Sequence, residues 1–205
     1  MKTKKILSIV LSAIIMMGIF TSCKSEDNKT EAQFECGKKT YDSLNVASDI
    51  CIELVTKTYN AWKFAIYDGD EGSVSDFADE VNLSEDELRQ AFESFSGVPG
   101  SLLFLYLDDI SATTWTVIEA YKLNGKIGEM DDAIATAKAE LKTMTSKYAD
   151  YSEYPTLKLY YSEVNSYAEF AKSPECSFEQ LKTTMEEYEK EIRTYKADLE
   201  FIFED

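Results

Sequence analysis

Residues 178–202 read FEQLKTTMEEYEKEIRTYKADLEFI, and their apolar members decide the fold. Phe178, Leu181, Met185, Tyr188, Ile192, Tyr195, Leu199 and Ile202 recur at spacings of three and four without exception. Glu186, Glu189, Lys190 and Asp198 fill the other faces. That period marks one face of an α-helix, here about 37 Å long at a rise of roughly 1.5 Å per residue. Ser177 and Gln180 have the form of a capping box at its start.

The same rhythm recurs upstream. Met130, Ile134, Ala137, Leu141, Met144 and Tyr148 form a second stripe, preceded by Gly128. Leu157, Tyr160, Val164, Tyr167 and Ala171 form a third, with Pro155 placed for a first helical turn. Leu44, Ala47, Cys51, Leu54, Thr58 and Trp62 form a fourth. Leu103 to Lys122 is apolar over a wider arc and reads as the most buried helix, ending at Asn124-Gly125. A shorter helix begins at the capping box Ser84 to Glu87. No stretch alternates with period two. These stripes predict an all-α fold, a left-handed, mostly antiparallel helical bundle of about five long helices plus one or two short ones between 74 and 96.

Composition removes several function classes. The chain has 38 acidic and 21 basic residues and no histidine. Histidine-dependent nucleophile pairs, general bases and metal ligands are therefore excluded. The acidic balance repels nucleic-acid phosphates and anionic headgroups, and only Arg89 and Arg193 are arginines, so nucleic acid is not an expected partner. There is no CxxC and no Gly-rich phosphate loop. No cofactor is implied. Catalysis, if present, rests on carboxylates, Lys, Tyr or Ser.

The candidate sites are few. Asp68 and Asp70, with Asp76 and Asp79 downstream, have the alternate spacing of an oxygen-ligand calcium loop. Gly72, Ser73 and Asp79 depart from it, and the plain alternative is a solvated acidic turn. Asp108 and Asp109 lie in the wide apolar arc, where one of them is expected to face inward. Tyr151, Tyr154 and Tyr161 fall off the core stripes and suggest an aromatic patch for a sugar or peptide. Cys36 and Cys176 each precede an expected helix start and are candidates for a disulfide. Three free thiols, with Cys51 in the core, are the alternative.

The first 22 residues have three parts: a basic start (Lys2, Lys4, Lys5), the uncharged run Ile6 to Phe20, and Thr21-Ser22 before Cys23. The run is short for a membrane span and has the layout of a removable signal peptide. Phe20-Thr21-Ser22-Cys23 resembles the lipobox of bacterial lipoproteins, with Phe20 where Leu is usual. The resemblance implies diacylglyceryl transfer to Cys23, cleavage before it, and a membrane as partner through that lipid. The Lys-Ser-Glu-Asp run after Cys23 is similar to surface-export signals of some bacteroidete lipoproteins. Polar residues from Lys24 onward suggest a flexible tether over 23–35. Residues 36–205 then form one helical domain, and localisation is extracytoplasmic, in the cell envelope.

Three functions fit. The first is a non-enzymatic binding or interaction module, which requires a contiguous apolar or aromatic patch on its surface. The second is a small-ligand or calcium-binding lipoprotein with an interior cavity near Asp108, Asp109 and tyrosines. The third is a glycan-active enzyme with two facing carboxylates.

Overall fold

The computed structural model describes the backbone of residues 3–204 and the side chains of residues 29–204. Cys23 and the segment before it lie outside the residues whose side chains are described. Seven α-helices follow one another: α1 (Thr3–Tyr67), α2 (Val74–Val81), α3 (Glu85–Ser96), α4 (Ile110–Leu123), α5 (Lys126–Lys147), α6 (Tyr154–Lys172) and α7 (Phe178–Phe203). A 3₁₀ segment, Gly100–Tyr106, joins α3 to α4. Among the described residues there is no strand, and no helix is long and apolar enough to cross a membrane. The chain is an all-α helical bundle.

Four helices alternate in direction. Along α1, Cys36 meets Glu140 and Cys51 meets Met130, so α5 runs antiparallel to it. Tyr154 bonds to Thr145 and Lys172 pairs with Asp131, which turns α6 back along α5. α7 reverses again: Phe178 stacks on Tyr59 at 5.0 Å and Phe203 on Tyr41 at 5.4 Å. The helical stripes meet inside. Leu44, Ala47, Leu54, Met130, Ala137, Leu157 and Val164 are fully buried. On α7 the core contact narrows to Leu181, Ile192, Leu199 and Phe203, with Met185, Tyr188 and Tyr195 half-buried.

The C-terminal half of α1 carries a second layer. Phe77 of α2 packs on Phe64 at 5.3 Å, and the buried Lys57 amine donates to the Val81 and Asn82 carbonyls at 2.8 Å each. A cation there satisfies carbonyls that the end of α2 leaves open. On the other side of α1, the Trp62 indole N–H donates to Thr114 of α4. Capping boxes start α2 at Ser73, α3 at Ser84 and α7 at Ser177.

Three expectations need correction. The tether does not extend to residue 35: α1 is already packed by then, with Lys29 and Gln33 bonded to Asp150 and Phe34 against Phe203. Tertiary partners on α5–α6 and α7 give these polar residues something to hold. The single helix expected over Leu103 to Lys122 is split. Asp109 accepts hydrogen bonds from the backbone N–H groups of Ser111 and Ala112 and begins α4 as its cap. And α5 starts at Lys126, so Gly128 lies inside it.

Gly100 shows why the 3₁₀ segment lies where it does. A Cβ there would sit 2.3 Å from the Arg89 carbonyl oxygen of α3, a backbone atom that cannot rotate away. Gly100→Ala is expected to cost about 2 kcal/mol through overpacking. Urea denaturation checks this, and a cost below about 0.5 kcal/mol would show that the two segments part freely.

Candidate functional site

The acidic turn after α1 is built for packing. Asp68 O accepts from the Glu71 and Gly72 N–H groups, and Gly69 presses on Leu107–Asp108, where a Cβ would lie 2.6 Å from the Leu107 carbonyl oxygen. Asp76 does not face Asp68 as a ligand. Its carboxylate accepts from the Ser73 hydroxyl and N–H, which hold it below the ordinary carboxylate range. Asp68, Asp70 and Asp76 border an open cleft of about 480 Å³, and among the described residues no group of three acids or cysteines has metal-binding geometry. Asp68, Asp70 and Glu71 are exposed in this turn, and Asp76 is committed to the cap of α2.

Asp108 and Asp109 both face solvent, contrary to the expectation that one faces inward. Burial of a carboxylate is avoided because the helix breaks there: Asp109 spends its oxygen on the cap of α4.

The off-stripe tyrosines do not converge into a pocket. Tyr151 lies against Gly37 near the start of the packed part of α1, and burial pushes its phenol well above the usual range. Tyr154 bonds to Thr145 and carries the Lys158 amine over its ring at 5.5 Å. Tyr161 is half-buried against the core. Asp108 and Asp109 are exposed at the opposite end of α1 from Tyr151, so the acids and these tyrosines line no common surface. Asp108 lies against Gly69, just beyond the end of α1 at Tyr67, whereas Tyr151 lies against Gly37, about 45 Å back along the helix from that end.

Cys36 and Cys176 are free and lie at opposite ends of the bundle. Cys36 sits two residues from Phe34, which meets the end of α7, whereas Cys176 directly precedes the start of α7. A disulfide needs Cα atoms within about 7 Å, and α7 alone is about 39 Å long. The expected helix start after Cys36 does not exist, because α1 runs through it. The Cys36 thiol instead donates to the Glu140 carboxylate at 3.2 Å. Burial, reinforced by that carboxylate, pushes it up to about 12, so it stays a thiol and is no nucleophile at neutral pH. Cys51 is buried 3.3 Å from the Met130 sulfur and is also pushed up to about 12 by burial.

The most distinctive surface was not singled out from sequence. Within Leu102–Tyr106 only Leu103 is buried, with Leu107 just beyond it. Phe104 and Leu105 are 54% and 58% exposed, and Leu102, Tyr106 and Ile110 are each more than one-third exposed. Phe95 joins them, since its ring and that of Tyr106 both rest on buried Phe92, at 5.6 and 5.1 Å. Tyr67, 69% exposed at the end of α1, leads into the turn whose Gly69 abuts Leu107. Together they form an apolar cap at the C-terminal end of α1. It is bordered by the exposed acids Asp68, Asp70, Glu71, Asp108 and Asp109. They lie within a stretch, residues 64–121, that holds thirteen Asp and Glu against one Arg; Lys63 and Lys122, flanking its two ends, pair with Glu80 and Glu119. That Arg89 is already engaged by Glu85 and the Gly100 carbonyl.

Two signals in the sequence mark this region: the lopsided charge of residues 64–121, and an apolar run, LLFLYL, too dense to bury from one side. No family model matches the chain, and no match is found among curated proteins or solved structures.

Proposed function

We propose that this chain is a lipid-anchored extracytoplasmic helical-bundle protein of the bacterial cell envelope, which acts as a non-catalytic interaction module. The leader and the lipobox-like Phe20 to Cys23 support the anchor. The observation that carries the interaction role is the apolar cap. A contiguous exposed apolar patch with a polar rim is the mark of an interaction surface.

The two features lie at opposite ends of one helix. From Lys29 to Tyr67, α1 rises about 57 Å. A protein held by lipid at its N-terminal side would thus present the cap away from the membrane, where a partner can reach it.

The anchor is tested by Cys23→Ser in cells that process lipoproteins. The wild-type chain is expected in the membrane fraction, with the added mass of acyl chains on Cys23. The variant is expected to lose that mass and leave the membrane fraction. An unlipidated wild-type chain, or a variant that stays membrane-bound, would remove the anchor from this reading.

A further inference from the structure

Resting on the interaction role proposed above, we infer that the cap docks a partner protein whose own face has protruding apolar side chains ringed by Lys and Arg. The juxtaposition that says so is Tyr67, Phe95, Leu102, Phe104, Leu105 and Ile110 in the centre, with Asp68, Asp70, Glu71, Asp108 and Asp109 at the edge.

The centre supplies the attraction. Large apolar side chains left in water gain free energy in proportion to the area that a partner covers. Phe104 and Leu105 are presented by a segment braced from behind: Leu103 and Leu107 are fully buried, and Gly100 lies against the α3 backbone. A braced surface loses little conformational freedom on binding, which favours a docked state.

The edge selects the occupant. Asp109 uses one carboxylate oxygen as a cap, yet its charge remains, as do those of Asp68, Asp70, Glu71 and Asp108. Covering the apolar centre brings the partner's rim within a Debye length of these acids, about 8 Å at physiological salt. A second copy of this chain would bring the same five acids against the first, so self-association through this face is opposed. Anionic headgroups and nucleic acid meet the same repulsion. A basic rim is attracted, and it raises both the encounter rate and the discrimination against other proteins.

The test uses the full-length chain in the cells that produce it, with a photo-crosslinking residue in place of Phe104. The same residue in place of Phe201, 82% exposed at the other end of the bundle, is the control. A discrete adduct is expected from position 104 and not from 201, with the crosslinked partner peptide lying in a Lys/Arg-rich surface. With that partner purified, F104D/L105D is expected to weaken binding more than tenfold, and added salt to weaken wild-type binding roughly tenfold. Leu159→Asp, on an exposed site of α6, is expected to leave it unchanged. If the double variant loses helical signal, Phe104→Ser replaces it.

The outcomes separate the two readings. An adduct to a second copy, to lipid, or to a neutral or acidic protein surface overturns the inference and leaves an interaction surface in place. No adduct from position 104 overturns the interaction role itself.

Discussion

Phe92→Ala is expected to destabilise the bundle by about 3–5 kcal/mol, the range for an aromatic ring deleted from a packed interior. Phe92 is 1% exposed, and its ring lies between Phe95 of α3 and Tyr106 of the 3₁₀ segment. Deleting it leaves a void under both, so the loss should be felt at the cap before the four-helix part. Urea denaturation reads the total. Hydrogen exchange reads its location, with amides of residues 100–106 expected to lose more protection than those of α5 and α6. A cost under about 1 kcal/mol would show that the cap is not braced by this ring.

The second large effect is expected on raising the pH above 9. Burial pushes Cys36 and Cys51 up to about 12 from 9.0. It also pushes the phenols of Tyr121, Tyr151, Tyr160 and Tyr167 well above their ordinary value of 10.0. Each group has a higher pKa folded than unfolded. Its contribution is therefore intact below the unfolded pKa and is lost as pH climbs toward the folded one. Lys57 acts with the opposite sign, because burial lowers its pKa: stability rises with pH between that lowered value and 10.5. One amine stands against six thiols and phenols whose pKa is raised, so the net slope is downward. Circular dichroism followed together with phenolate absorbance should show helix loss and tyrosine ionisation as one co-operative step between pH 9 and 12. Gradual ionisation with intact helix would mean that these phenols reach solvent without unfolding. Cys51→Ala is expected to soften the early part of the transition, since it removes the most buried thiol.

Helix identity was legible wherever a stripe repeated over several turns. Leu44 through Trp62, Met130 through Met144 and Leu157 through Ala171 are buried as their spacing implies. The capping boxes at Ser84 and Ser177 also appear where their residues stand. Reading failed where local chemistry competed with periodicity. The arc from Leu103 looked like a buried helix, but Asp109 starts a new one, and Phe104, Leu105 and Tyr106 before it face solvent. Residues 29–35 looked like tether because their partners, Asp150 and Phe203, lie more than a hundred positions away.

Sequence by itself determined that this chain folds as packed helices, because a repeat of three and four positions puts apolar groups on one side of a rod and nowhere else. It also determined the absence of histidine chemistry and the acidic balance. Only the tertiary structure decided which apolar residues remain outside. Burial depends on whether a second surface arrives, and none covers Phe104 and Leu105, although their hydropathy matches that of the core. It likewise placed Cys36 and Cys176 a helix length apart, and turned Asp109 from a buried candidate into a cap. Distance between elements is set by packing, which spacing along one chain does not encode.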